Sequence, residues 1–176
     1  MILIIGKRGS GKTTVLKSLV REERKNYNII IICDINNQFI FIPILTEKQL
    51  YNLKNQEYKQ VYRIILYPDF FPIFIDLIDN LQNTLLVIDE MDFYDTSIIE
   101  FNRYLINSRH RGNELIATTR RILHINKLFV SQLDYLYTFK TSLPNDIKYI
   151  SDFTDDNYIK KINMLKKYQY AIYDFT

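Results

Sequence analysis

One short stretch near the start of the chain limits what it can fold into more than any other: Gly6-Lys7-Arg8-Gly9-Ser10-Gly11-Lys12-Thr13-Thr14. It follows the apolar run Ile2-Leu3-Ile4-Ile5 and precedes a helical pattern at Val15, Leu16, Leu19 and Val20. The spacing G-x-x-x-x-G-K-[ST] between a strand and a helix is that of a phosphate-binding loop. Glycine tolerates positive φ and leaves room for an anion, so backbone amides in such a loop can converge on phosphate. A helix starting near Lys12 adds its positive end. The chain holds 4 glycines, and Gly6, Gly9 and Gly11 are three of them. The expected nucleotide-binding residues are Gly6, Lys7, Arg8, Gly9, Ser10, Gly11, Lys12, Thr13 and Thr14. Lys12 is expected at the β- and γ-phosphates, and the Thr13 hydroxyl on Mg²⁺.

The rest of the chain supplies the sheet that such a loop needs. Apolar runs recur at Ile2–Ile5, Ile29–Cys33, 64–67, 85–88, 115–118, Tyr135–Phe139 and 171–173, mostly separated by helix-length amphipathic stretches. That alternation predicts an α/β fold: a RecA-like (ASCE) P-loop NTPase, a three-layer sandwich around a mostly parallel central sheet. Thr46-Glu47-Lys48-Gln49 and Ser97-Ile98-Ile99-Glu100 fit the capping box at helix starts. Asn36-Asn37 reads as a turn before a short edge strand at 39–42. At 176 residues, with no linker composition, residues 1–176 are expected to form one domain. Cys33, the single cysteine, excludes an internal disulfide and reads as a buried strand thiol. No apolar run approaches the ~18–20 residues of a membrane span, and no signal-peptide pattern precedes the first strand.

A phosphate loop needs an acidic partner. Thr84-Leu85-Leu86-Val87-Ile88-Asp89-Glu90 is an apolar strand ending in two acids. Its unbroken aliphatics predict burial on both faces, and its end places Asp89 beside the loop. Asp89 is the expected organiser of the Mg²⁺ shell, with Thr13, and Glu90 the base that polarises an attacking water. Asp92 and Asp95 read as groups that cap or solvate the following turn.

A third stretch, Asn107-Ser108-Arg109-His110-Arg111-Gly112-Asn113-Glu114-Leu115-Ile116-Ala117-Thr118-Thr119-Arg120-Arg121, carries four arginines around a short strand. That strand, beside the Asp-Glu strand, would present Thr119 to the γ-phosphate as a sensor. The net charge of +3 is too small to announce nucleic acid on its own, so any such contact has to come from local patches. The 14 Tyr and 11 Phe are spread through all elements and read as core and rim rather than a base-stacking platform.

Taken together, GKRGSGKTT, LLVIDE, the R-x-R-G…LIATTRR block and Val130-Ser131-Gln132-Leu133-Asp134-Tyr135-Leu136-Tyr137-Thr138-Phe139 resemble the FtsK–HerA superfamily of ring-shaped DNA-pumping ATPases. Within it the chain is most similar to the compact viral genome-packaging ATPases. The resemblance implies an ATP-hydrolysing, Mg²⁺-dependent double-stranded DNA translocase without sequence preference. It further implies a homo-oligomeric ring of five or six subunits, capsid or membrane proteins at a portal as partners, and a place in the host cytoplasm or the virion. In that family an arginine shortly before the sensor strand reaches the neighbour's nucleotide; Arg109 matches it here, with Arg111 the competitor. The family's usual sensor is Gln, whereas this sequence has Thr119.

Two other readings compete. A kinase would use Arg109, Arg111, Arg120 and Arg121 as a lid over two nucleotides; Glu90 after Asp89 argues against it. A phage-assembly ATPase similar to the zonula occludens toxin family would share the core but is usually membrane-anchored. For the pore, Lys54, Lys59 and Arg63 are candidates, although an exposed helix face is the preferred reading of that stretch.

Overall fold

The aliphatic runs form strands because each of their two faces meets an apolar layer. The computed structural model describes residues 1–53 and 59–176. Its strands are β1 (Ile2–Ile5), β2 (Ile29–Cys33), β3 (Gln60–Ile64), β4 (Thr84–Ile88), β5 (Glu114–Thr119), β6 (Tyr135–Phe139) and β7 (Tyr170–Asp174). They form a sheet ordered β3-β2-β4-β5-β1-β6-β7, parallel throughout except for the β6–β7 pair. The helices are α1 (Lys12–Glu23), α2 (Glu47–Tyr51), α3 (Phe71–Asp79), α4 (Ile99–Ser108), α5 (Lys127–Ser131), α6 (Pro144–Ser151) and α7 (Asp156–Met164).

Side-chain parity divides the core into two layers. Ile2, Ile4, Ile30, Ile32, Leu85, Val87 and Ile116 group with Leu16, Leu19 and Val20 of α1. The alternate residues Leu3, Ile5, Ile31, Leu86, Ile88 and Leu115 group with Phe74, Ile75 and Ile78 of α3 and with Phe101, Tyr104 and Leu105 of α4. Each such side chain, fully withdrawn from water, contributes roughly 1.5–3 kcal/mol, which is why the central strands carry no polar alternation. The expected α/β sandwich with its mostly parallel sheet is the fold observed.

Four local expectations have distinct outcomes. The Thr46 capping box forms, with Thr46 N donating to Gln49 Oε1 at 2.9 Å and Gln49 N to Thr46 Oγ1 at 3.3 Å. The box at Ser97 does not: Ser97 donates through N and Oγ to Asp95 Oδ1 at 2.9 and 2.6 Å, and α4 starts after Ile98 without a side-chain cap. Asp95 is thereby the group that closes this turn. The strand expected at 64–67 lies earlier, at Gln60–Ile64, since its partner β2 ends at Cys33, opposite Ile64. Residues 39–42 form a turn closed by Ile42 N on Phe39 O rather than an edge strand, because the Asp34 carboxylate takes the amides of Gln38 and Phe39 at 2.7 and 2.8 Å.

Register then brings the motifs together. Ile5 pairs with Thr119 and Ile4 with Thr118, while Ile88 pairs with Ala117. The phosphate loop leaving β1 and the acids leaving β4 therefore emerge at the same edge, flanking the end of β5. Ligand sites in parallel α/β sheets form at this carboxyl edge.

Candidate active site

The loop after β1 takes left-handed φ at Gly9 (73°) and Gly11 (107°), the latter capping α1. A Cβ at Gly6 would stand 2.6 Å from Ser10 Oγ and 2.8 Å from Phe139 Cβ, so glycine is required there on space. At Gly9 a Cβ would meet nothing within 4 Å, so the requirement is its backbone. Lys12 is buried and donates from Nζ to Gly6 O at 2.7 Å and Lys7 O at 3.2 Å, so its ammonium sits under its own loop. Burial lowers its pKa, with the carboxylates of Glu90, Asp89 and Asp92 pulling the other way. Lys7 reaches Ser142 Oγ at 2.8 Å, and Arg8, Thr13 and Thr14 line the cavity in front of the loop.

That cavity, about 780 Å³, is large enough for a nucleotide, and Asp89, Glu90 and Arg120 form its far wall. Thr118 connects the two acids: its Oγ1 donates to Asp89 Oδ1 at 2.7 Å and accepts from Glu90 N at 2.8 Å. The pair is pushed in opposite directions. Burial raises Asp89, against the hydrogen bond from Thr118, and the Glu90 and Asp34 charges add to the rise. Burial would raise Glu90 as well, but the hydrogen bond from Arg120, the neighbouring Asn36 and the charges of Arg120 and Lys12 outweigh it, leaving Glu90 lowered. The Glu90 backbone is left-handed, φ 59° and ψ 59°, an uncommon state for a non-glycine residue outside functional sites.

The four arginines have four separate fates. Arg120 donates from Nη2 to Glu90 Oε1 at 2.7 Å, and its amide donates to Asp92 Oδ1 at 3.2 Å. Arg121 bonds the fully buried Asp146 of α6 at 2.8 Å. Arg111 lies 3.2 Å from Asp79, which also meets Arg103 and Asn107. Arg109 sits at the opposite edge of the sheet, before β5 begins, 62% exposed, with Asp134 Oδ1 and Gln132 O each 3.3 Å from Nη2.

Thr119 is wholly buried, donates from Oγ1 to Arg121 O at 3.1 Å and accepts from Arg121 N at 3.2 Å. Thr118 and Arg120, one residue to either side, make the contacts to the acids. The sequence reading leaves Asn36 and Thr118 out of the site and brings Arg120 to it only as part of the kinase lid. Only Arg120 had a readable signal there, as a cation directly past the strand beside the Asp-Glu pair. Of the pore candidates, Lys54 lies outside the described residues, and Lys59 bonds Lys25 O. Arg63 is buried in β3, donating to Ile42 O at 3.0 Å, and is part neither of a helix face nor of an open surface.

The donor set fits a nucleotide with Mg²⁺. Among the described residues Ser10 Oγ and Glu90 Oε2 are buried without a hydrogen-bond partner, one in the loop and one facing it across the cavity. A hydroxyl at Thr13 and a carboxylate at Asp89 are hard oxygen donors of the kind Mg²⁺ takes while keeping water and phosphate in its shell.

No protein-family model matches the sequence, and no curated protein does. Solved structures do. The genome packaging NTPase B204 from Sulfolobus turreted icosahedral virus 2, in complex with ATP-gammaS, is 21% identical, with 99% of this chain and 91% of that one covered and a TM-score of 0.79. B204, the DNA-packaging ATPase from Sulfolobus turreted icosahedral virus, is 20% identical over 98% and 91%, with a TM-score of 0.71. The N-terminal domain of zonular occludens toxin from Neisseria meningitidis is 14% identical over 99% and 94%, with a TM-score of 0.50. The chain has the P-loop ATPase fold of the viral packaging NTPases, the fold that its motifs lead one to expect.

Proposed function

We propose that the chain is an ATPase that hydrolyses ATP with Mg²⁺ to move double-stranded DNA into a viral capsid. The observation that carries this reading is the pair Asp89 and Glu90 held by Thr118 across the cavity from Lys12. Lys12 and the loop 6–14 would hold the phosphates, and Thr13 and Asp89 the metal. When bound, Mg²⁺ neutralises charge on the phosphates. Glu90 orients a water and accepts its proton, which requires it to part from Arg120, since a carboxylate engaged by a guanidinium is a weaker base. Arg120 and Thr118, which contact the acids directly, would sense the γ-phosphate in place of Thr119.

Arg109, exposed at the far edge, would complete the neighbour's site. An arginine that acts there makes a head-to-tail ring of five or six copies the natural assembly. DNA would be held through its phosphates, without sequence preference and with strong salt dependence. Residues 1–176 act as one domain in this reading, in the host cytoplasm or on the virion, with capsid or membrane proteins at the portal. No helix among the described residues is long and apolar enough to cross a membrane.

The kinase alternative required four arginines over one cavity. Arg111 and Arg121 are tied to Asp79 and Asp146, and Arg109 stands at the opposite edge, so a lid does not assemble from them. A role similar to that of zonula occludens toxin ATPases shares the core and is separated by DNA dependence. The test is ATP hydrolysis with and without duplex DNA, alongside particle mass in solution. Stimulation by duplex with a mass of several subunits is the expected result. Hydrolysis indifferent to duplex at every salt concentration would remove the packaging reading and leave a DNA-independent ATPase.

A further inference from the structure

The turn before β7 has an unusual residue at its tightest point. Gln169 N bonds Lys166 O at 3.1 Å, closing a four-residue turn, and Tyr168 at its third position has φ 68°. A turn with positive φ there ordinarily carries Gly or Asn. Besides glycine, left-handed φ occurs among the described residues at Asn37, Asn83, Glu90 and Tyr168. Asparagine adopts it readily, which leaves Glu90 and Tyr168 as the costly cases, and both are walls of the nucleotide cavity. Strain of this kind persists where function holds a particular side chain in place.

Tyr168 is 63% exposed as a residue, so packing does not account for a tyrosine there. It borders the main cavity and also a smaller one of about 230 Å³, which Phe139 lines together with Lys140 and Ser142. Lys167 Nζ lies 4.8 Å from the Tyr168 ring centroid. The strand order says which end of a nucleotide meets this ring. Counting outward from β1, the acids at the end of β4 lie two strands to one side and β7 lies two strands to the other. A triphosphate seated on the loop with its γ-end at Glu90 has its nucleoside end toward the β6–β7 side. Phe93, the other aromatic ring in the cavity wall, follows Glu90 by three residues and belongs to the γ-end.

We propose that Tyr168 is the base platform of this site: its ring stacks on the purine of bound ATP, with Lys167 adding a cation–π contact to the same ring. The proposal rests on the reading of residues 6–14 as the phosphate site. It makes Tyr168 an exception to the reading of most aromatics as core and rim.

The test measures equilibrium binding of ATP and of inorganic tripolyphosphate, each with Mg²⁺, together with thermal melting. Tyr168→Gly is expected to weaken ATP by roughly 5- to 150-fold, the range for losing one stacked base, and to leave tripolyphosphate unchanged. Its melting temperature should equal or exceed that of the wild type, because glycine relieves the left-handed strain. Tyr168→Phe should keep ATP affinity. ATP binding within twofold of wild type in Tyr168→Gly, or an equal loss for tripolyphosphate, overturns the proposal. Lys12→Ala separates the two readings: it should weaken both ligands, and a Lys12→Ala protein that binds both as the wild type does would break the loop reading and the platform with it.

Discussion

The two edges of the sheet contrast sharply in how their charges are held. At the carboxyl edge Asp89, Thr118, Glu90, Arg120 and Asp92 are joined by hydrogen bonds within one chain, and their carboxylates act on the nearby Lys12 by charge alone. At the amino edge Arg109, 62% exposed, meets among the described residues Asp134 and a main-chain oxygen, and it shares Asp134 with the N-terminal ammonium, which also pairs with Glu114. An exposed pair of this kind contributes little to stability, in the range of about 0–1 kcal/mol. A cation held so loosely is free to take a better partner, whereas one in a closed network is not. On the proposed reading, the difference separates what a single chain would complete from what a second copy would supply.

The strongest way to break that comparison is at Arg109. Arg109→Ala should bind ATP but hydrolyse it about 10³- to 10⁵-fold more slowly. Mixed with Glu90→Gln protein it should regain part of the activity, because some interfaces then pair an intact Glu90 with an intact Arg109 from the neighbour. Activity equal to the sum of the two mutants at every ratio, in assemblies shown to exchange subunits, rejects the shared site. Arg111→Ala in the same mixture should need no partner to explain its effect, since Arg111 is engaged by Asp79.

Next in size is Glu90→Gln alone. Loss of a general base should slow turnover by about 10²- to 10⁴-fold while ATP binding, followed by a fluorescent nucleotide, stays near wild type. Near-normal turnover would remove Glu90 from the chemistry.

Smaller effects sharpen the picture at the carboxyl edge. Arg120→Ala takes away a hydrogen bond and a charge that lower Glu90, leaving burial to raise it. The acid limb of kcat/KM should therefore move to higher pH. The stability consequence has the opposite origin: a carboxyl lowered in the folded state stabilises above its unfolded value of 4.5, and that stabilisation is lost as pH falls through the folded value. Arg120→Ala should flatten this acid loss in urea titrations carried out below that pH, and an unaltered profile would show that the pair does not form in solution. Finally, Thr118→Val leaves buried Asp89 without its donor and should cost about 1–3 kcal/mol in urea unfolding, relieved by added Mg²⁺. Thr119→Val should leave that Mg²⁺ dependence as in wild type, its hydroxyl being engaged by the Arg121 main chain.

Much of this was legible in the sequence because the chemistry sits in contiguous residues. The loop at Gly6–Thr14 and the run ending at Asp89-Glu90 each specify a backbone shape by steric and burial rules acting within a few positions. Asn36 and Thr118 were not legible as site residues, since what brings them to the acids is register between strands far apart in the chain. The arginines show the same limit: composition marks four cations near one strand, but Asp79 and Asp146, which claim Arg111 and Arg121, come from α3 and α6. The misplaced β3 and the absent edge strand at 39–42 have a local cause. Apolar runs report burial, whereas hydrogen-bond partners decide pairing: Asp34 takes the amide of Phe39 and that of Gln38 before it, and the Ile42 amide turns back to Phe39 O.

Cys33 has a consequence for how opening of the sheet can be timed. The thiol lies wholly buried at the end of β2, next to β4 in the sheet, and burial raises its pKa, so the reactive thiolate is scarce in the folded chain. With no second sulfhydryl anywhere in the sequence, an alkylating reagent has a single clock to read. Its labelling rate reports how often β2 separates from β4, and nucleotide bound across the end of β4 should slow it in proportion to occupancy.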